Sequence, residues 1–249
     1  MRAFEFVPIF AFGLLFQSLG AAQAVPPKRT TVWDGIFDQA EVTRGGQAYN
    51  SRCSGCHGDD LSRLGGVLQG DKFMEHWRED NLANLFNTIR STMPPGPRGG
   101  VSEAEYVDIL AYLLERNGFP TGKAALNPGE FERILIVGKE GPQPVPDFSL
   151  VTVAGCLGRD GENRWVLTNA SEPLRTRNPR EPTDKETAAD MIRKGGEHTF
   201  HFLDTYEFPT EFKAGQWTVA KGFLIRSPGN DRINLTWLKG LRPTCKVGP

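Results

Sequence analysis

The chain has 249 residues, which is enough for two domains of ordinary size. Its net charge of −1 and the absence of a polybasic run argue against nucleic acid and an anionic membrane surface as partners. The hydrophobic content of 39% is sufficient for folded cores, and the 28 glycines and 18 prolines predict many loops and turns.

Residues 1–24 have the pattern of a secretory signal peptide. A basic residue near the start is followed by an apolar stretch over residues 6–19 and a small-x-small cleavage pattern over residues 22–24. The alternative is an uncleaved membrane anchor, because the apolar stretch is near the lower length limit for crossing a bilayer. We expect cleavage after residue 24, a periplasmic or secreted bacterial protein, and no stable membrane span afterwards.

Three amphipathic helices are predicted in the first part of the mature chain. The first covers residues 39–52 and ends at Cys53. The second begins after Asn81, a residue type that commonly caps helices, and has apolar residues at positions i, i+3, i+4 and i+7. The third begins with a capping box formed by Ser102 and Glu105 and carries an apolar stripe. This part is therefore predicted to be all-α.

The first helix leads directly into Cys53-Ser54-Gly55-Cys56-His57, and C-x-x-C-H is the attachment signature of c-type haem. The two thiols add to the vinyl groups of one porphyrin, and the adjacent imidazole is placed to ligate the iron. The motif therefore predicts one covalently bound haem c, held by Cys53 and Cys56 and ligated by His57.

Three other interpretations use the same residues. A thioredoxin-like redox pair needs a preceding strand in a βαβ unit, whereas a helix precedes this motif. A zinc site needs further ligands at suitable spacing, and His76 is the only histidine nearby. A plain disulfide between Cys53 and Cys56 leaves His57 without a role. Haem attachment is the interpretation that gives all three residues a role at this spacing without further protein ligands close by in sequence.

Met93 is the predicted second axial ligand of the iron. It follows the second helix and opens a proline-rich loop that would hold a thioether rigidly, and a methionine ligand suits an electron carrier. Met74 and His76 are the rival ligands, although they lie closer to the motif in sequence. The alternative for Met93 is simple packing, which is the usual role of methionine.

Residues 33–122 resemble class I cytochrome c domains. Residues 32–37 are also similar to the lead-in of bacterial periplasmic cytochromes associated with dehydrogenases and with sulfur-compound oxidation. The resemblance implies a single low-spin haem with His and Met ligands, and first and last helices that cross. It departs at residues 64–67, where such domains often carry a proline whose carbonyl orients the axial imidazole. The residues that carry the resemblance are Gly45, Tyr49, Cys53 to His57, Met93-Pro94, Tyr106 and Tyr112.

Trp77 and Arg78 are predicted contacts of the haem propionates, because an indole N–H and a guanidinium are both good donors to carboxylates. The alternative is that Trp77 packs in the core and Arg78 lies on the solvated surface.

The second part of the chain has a different pattern. Residues 123–146 are predicted to be a linker, because residues 141–146 are rich in proline. Residues 147–245 are predicted to form a small five-stranded β domain, with a short helix around residues 187–193. The predicted strands cover residues 149–157, 164–169, 198–203, 217–225 and 232–238.

This second domain is similar to small OB-fold domains of secreted bacterial proteins, and the similarity implies a binding or accessory module. The fold class expected for the chain is therefore α+β multidomain, with an all-α cytochrome c domain followed by an OB-like β-barrel. Cys156 and Cys245 both lie in the second domain and are predicted to form a disulfide, because export makes free thiols unusual.

The function predicted from these features is single-electron transfer between redox proteins, with a dehydrogenase or an oxidase as partner. No catalytic residues are predicted, because the sequence has neither a nucleophile elbow nor a phosphate-binding glycine loop. The alternatives are a peroxidase-like haem enzyme, which needs an open sixth position on the iron, and a haem sensor that signals through the β domain.

Overall fold

The structure is a computed structural model that combines helices with one large β-sheet, so the chain is an α+β multidomain protein. The predicted signal peptide, residues 64–67 and most of the predicted helix at 187–193 lie outside the residues that it describes. The described residues are 30–63, 68–95, 100–182, 193–208 and 212–245. We call residues 30–137 the helical part and residues 147–245 the sheet part.

The helical part confirms the three predicted helices, and their caps explain where they begin. Asn81 Oδ1 accepts a hydrogen bond from the backbone N–H of Asn84 at 2.9 Å. Ser102 and Glu105 form the predicted capping box. Two further helices are present in the described residues, and neither has a side-chain cap that the sequence could reveal. The helices are α1 (Gln39–Arg52), α2 (Ser54–His57), α3 (Gly70–Trp77), α4 (Leu82–Thr92) and α5 (Glu103–Arg116).

Helices α1 and α5 cross in direct backbone contact at Gly45. A Cβ atom on Gly45 would overlap the carbonyl oxygen of Asp108 and lie 3.0 Å from Tyr112 Cβ. Arg44 extends from the same turn of α1 and pairs with the carboxylate of Asp108 at 2.7 Å. Glycine is therefore required at position 45 for the two helices to approach this closely.

The first half of the predicted linker packs into the helical core. A 3-10 helix (Pro128–Arg133) places the Phe131 ring against Phe86, with the ring centroids 5.2 Å apart. It is followed by strand β2 (Leu135–Ile136), which pairs antiparallel with β1 (Asp80–Asn81). Buried apolar side chains of this segment pack against the helices. Residues 126–137 therefore belong to the core of the helical part.

In its described residues, the sheet part contains the five predicted strands and one further short strand. Strands β3 and β4 pair with each other, so the five longer strands form a closed cycle of pairings in the order β4-β6-β8-β7-β3. Strands β6 and β8 are parallel, and the other pairs are antiparallel. The strands are β3 (Leu150–Arg159), β4 (Trp165–Ala170), β5 (Leu174–Arg175), β6 (His198–Leu203), β7 (Trp217–Ile225) and β8 (Arg232–Arg242).

A disulfide joins Cys156 on β3 to Cys245 beyond the end of β8, with their Cα atoms 5.2 Å apart. The predicted pairing of these two cysteines is therefore present in the structure. The bond closes the sheet part by linking its first long strand to the segment after its last one.

Reduction of this disulfide should destabilise the sheet part and leave the spectrum of the haem predicted for the helical part unchanged. The bond spans 89 residues, and the loop-entropy model assigns loops of this length about 4–5 kcal/mol. We expect thiol labelling of the denatured, unreduced protein to leave Cys156 and Cys245 unmodified, and labelling after reduction to modify both. A Cys156→Ser/Cys245→Ser variant should show the same loss in urea unfolding. Complete labelling of both thiols without a reductant would show that the bond does not form.

Candidate functional site

The C-x-x-C-H motif lies at the junction between α1 and α2. The Cys53 N–H donates to the Tyr49 carbonyl, which completes α1, and the His57 N–H donates back to the Cys53 carbonyl at 2.9 Å. This single turn brings the two cysteines and the histidine close together. Cys53 is half-buried and Cys56 is exposed, so both thiols can be reached by a ligand.

A largely apolar cavity opens beside this motif, and we call it the motif cavity. Its wall includes the thiol-bearing residues, the imidazole of His57 and the predicted ligand Met93. The structure therefore brings Cys53, Cys56, His57, Met93 and Trp77 to one cavity. The remaining wall residues are Tyr49, Arg52, Leu68, His76, Leu85, Thr88, Ile89, Thr92, Pro94, Pro95, Val101, Tyr106, Ile109 and Leu113.

The residues around the motif cavity fit a c-type haem. They include two thiols that could attach a porphyrin covalently, an imidazole and a thioether of the types that ligate haem iron, and apolar side chains against which a porphyrin would pack. His57 Nδ1 is buried and has no hydrogen-bond partner among the described residues. Residues 64–67, the loop for which the resemblance predicts an orienting carbonyl, lie outside those residues.

The environment of Cys53 argues against a thioredoxin-like redox pair. Burial raises the pKa of the Cys53 thiol, and the nearby charge of Arg52 opposes this effect only in part. A nucleophilic cysteine of a redox motif has a lowered pKa, because its thiolate is the reactive form. The pKa shift of Cys53 is therefore opposite to the one that activates a disulfide oxidoreductase.

Tyr49 fixes the backbone that follows His57. Its hydroxyl donates to the carbonyl of Gly58 at 2.7 Å, and its ring packs against Tyr112 of α5 with the centroids 5.2 Å apart. Burial raises the pKa of Tyr49 to about 12, so the phenol remains a neutral donor at physiological pH. The turn carrying the histidine is thereby attached to both α1 and α5.

Two hydrogen bonds made by the backbone N–H and carbonyl of Met93 hold this residue at the end of α4. Its N–H donates to the carbonyl of Ile89 at 2.9 Å, and its own carbonyl accepts from the hydroxyl of Tyr106 at 2.6 Å. Tyr106 belongs to α5, so the backbone of Met93 is tied to the helix that also crosses α1. The side chain is 38% exposed.

The rival ligands occupy different environments. His76 lies in the wall of the motif cavity, with Nε2 at 3.4 Å from Nη1 of Arg177. Met74 instead packs against the helical core. Among the described residues, neither Met74 nor Arg78 contributes to the wall of the cavity, whereas Trp77 does. His76 therefore remains the alternative to Met93 that the geometry permits.

Two arginines near the cavity were not predicted from the sequence. Arg177 stacks on the Trp77 ring, and Arg175 donates to the carbonyl of Arg78 at 2.6 Å. Both belong to the sheet part and lie about a hundred positions from these partners, in a polar stretch with no motif. Burial lowers the pKa of Arg175, and the carboxylate of Asp80 opposes this shift. Sequence pattern offered no signal for either contact.

Two features are absent from the described residues. In those ranges, no helix is both long enough and apolar enough to cross a membrane. Nor do the described His, Cys, Asp and Glu residues form a group of three or more that could bind a metal ion.

Comparison with known proteins identifies a family match within the helical part and relatives of the chain. Residues 40–113 match the family model described as cytochrome c oxidase, cbb3-type, subunit III. Cytochrome c-551 of Bacillus subtilis is 31% identical over 110 residues, which covers 43% of this chain and 89% of that protein. Among solved structures, the sulfane dehydrogenase SoxCD of Paracoccus pantotrophus is similar over 51% of this chain and 72% of its own, with 21% identity and a TM-score of 0.32.

Proposed function

Because this chain belongs to the cytochrome c family through residues 40–113, we propose that it transfers single electrons through one haem c. Membership of the family implies the cofactor, and the proposal assigns its residues. Cys53 and Cys56 hold the haem through thioether bonds, and His57 and Met93 ligate the iron. The indole N–H of Trp77 donates to a propionate.

The observation that carries this proposal is the motif cavity, whose wall contains the attachment cysteines, His57 and Met93 together. When bound, the haem supplies a one-electron couple. The protein restricts solvent access with an apolar wall and holds the ligands on α2 and at the end of α4. A thioether ligand favours the reduced iron and so suits a carrier.

The partners in this proposal are redox proteins, either a dehydrogenase that donates electrons or an oxidase that accepts them. In this proposal the protein works in the periplasm or is secreted, because residues 1–24 have the pattern of an export signal. In this proposal the protein is an electron carrier or the cytochrome subunit of a dehydrogenase and has no catalytic residues of its own.

We also propose that residues 147–245 are an OB-like barrel that serves as an accessory module. The cyclic order of strand pairing supports this, since five strands that return to the first leave no free long edge. The parallel pairing of β6 with β8 inside an otherwise antiparallel sheet gives further support.

Mass spectrometry of the mature protein tests the cofactor assignment. We expect the mass of one added haem in protein from a bacterial strain that has the haem-attachment machinery, and no added haem in the Cys53→Ser/Cys56→Ser variant. The Cys156→Ser/Cys245→Ser variant is the matched control and should retain the haem. An unmodified wild-type mass with free Cys53 and Cys56 thiols would refute the proposal.

A further inference from the structure

Arg177 connects the sheet part to the wall of the motif cavity. Its guanidinium lies 4.3 Å from the ring centroid of Trp77, and Nη2 donates to the carbonyl of His76 at 2.6 Å. Trp77 and His76 are both wall residues of the motif cavity, and Trp77 is only 4% exposed. One side chain of the sheet part therefore covers two consecutive residues of the haem site.

The charge of Arg177 is matched by a buried carboxylate. Its Nε donates to Asp80 Oδ2 at 2.8 Å, and the side chains are 29% and 0% exposed, respectively. The other carboxylate oxygen of Asp80 accepts from Asn81 N–H and Asn84 Nδ2. A pair this well shielded from water is screened much less than an ion pair on the surface.

We propose that Arg177 is a positioning residue of the haem site, which holds Trp77 and His76 in the cavity wall and raises the reduction potential of the haem with its positive charge. This inference rests on the proposed function, because it requires a haem in the motif cavity. It gives the sheet part a defined role in electron transfer, namely to set the driving force.

The sign of the effect follows from elementary electrostatics. Reduction adds one electron to the haem, so a nearby positive charge favours the reduced form and a nearby negative charge favours the oxidised form. Arg177 and Asp80 therefore act in opposite directions. Removing only one of them should shift the potential, and the direction of the shift depends on which charge is lost.

Redox titration of the haem-loaded full chain tests the proposal. We expect Arg177→Ala to lower the ratio of reduced to oxidised haem at a fixed potential by about three- to tenfold, and tenfold is about 59 mV for a one-electron couple. Asp80→Asn should raise the ratio, and the double variant should lie between the two. Arg177→Lys keeps the charge and should restore most of the potential. Arg164→Ala is the matched control, because Arg164 forms a similar pair with Asp160 in the sheet part at 2.8 Å.

The opposite signs separate an electrostatic role from a purely structural one. Damage to the fold would shift both single variants in the same direction, and this result would overturn the proposal. So would an Arg177→Ala potential equal to that of Arg164→Ala. Should Arg177→Ala fail to fold, Arg177→Lys and Asp80→Asn decide the question. Absence of a covalent haem from the wild-type chain would refute the proposed function as well, whereas a bound haem with unchanged potentials would refute this inference alone.

Discussion

Replacing Met93 with alanine should remove the long-wavelength charge-transfer band of the oxidised protein, which is the signature of a thioether bound to ferric haem. It should also lower the reduction potential, because thioether ligation favours reduced iron. We expect a shift on the order of 0.1 V or more, within the roughly 0.8 V range that axial ligands span. The vacated sixth position should then bind carbon monoxide, to which the wild-type protein should be unresponsive.

The control for this experiment is Met74→Ala, because Met74 packs against the helical core and is absent from the described wall of the motif cavity. Its band and potential should match those of the wild type. His76→Ala is the decisive comparison, since His76 does lie in the wall. The assignment of Met93 is wrong if the wild type lacks the band and loses its native ligation in His76→Ala. It is also wrong if the band and potential survive in Met93→Ala and are lost in Met74→Ala.

Replacing Gly45 with alanine should destabilise the helical part severely. The added methyl group would overlap the carbonyl oxygen of Asp108, and this backbone atom can move only if α1 and α5 separate. Overpacking of this kind costs about 2–4 kcal/mol. In a domain of this size the melting temperature should fall by roughly 10 °C or more. Haem content should fall as well, because α1 holds Cys53.

Gly46→Ala is a matched control one residue away in the same helix. A Cβ atom on Gly46 would meet the ring of Tyr112 at 3.4 Å, which is an ordinary van der Waals contact. Alanine is a better helix former than glycine by about 1 kcal/mol, so this variant should be as stable as the wild type or slightly more stable. Equal melting temperatures for the two variants would contradict the close helix crossing.

Elements with clear local signals could be predicted from the sequence. Strands β6 and β7 begin and end at the predicted residues, because apolar runs there are bounded by polar and glycine-containing turns. Helix α5 has a capping box at its start, and Gly118 just beyond its end adopts a positive φ of 82°. In each case the local residue preferences and the tertiary packing favour the same backbone conformation.

Other elements form because of contacts that are distant in sequence. Helix α3 begins at Gly70 without a side-chain cap, so it depends on burial of Phe73 and Trp77. Strand β5 has only two residues and forms because it pairs with the edge of β3. The 3-10 helix containing Phe131 lies in residues 123–146, which were predicted to be a linker from the proline-rich residues 141–146. Such packing preferences have no local signature.

The candidate site also contains residues with a local sequence signal and residues without one. The spacing of the motif from Cys53 to His57 predicts a covalently bound haem, and ligand chemistry together with a position after α4 predicts Met93 as a ligand; the structure brings these residues to one cavity. The contact between Arg177 and Trp77 depends on how two separate parts of the fold meet. Amphipathic periodicity predicts helices and strands but not how they pack together, so this contact could not be predicted from the sequence.

The packing of residues 126–137 determines what could be separated from this protein as an autonomous unit. A fragment ending at residue 122 would contain the whole family match, residues 40–113. It would lack the backbone N–H of Leu126, which donates to both carboxylate oxygens of the buried Glu41, and the Phe131 ring that covers Phe86. Glu41 would lose this donor and become open to water, and an apolar patch around Phe86 would be exposed. An excised helical part should therefore extend past residue 137 to keep its core covered.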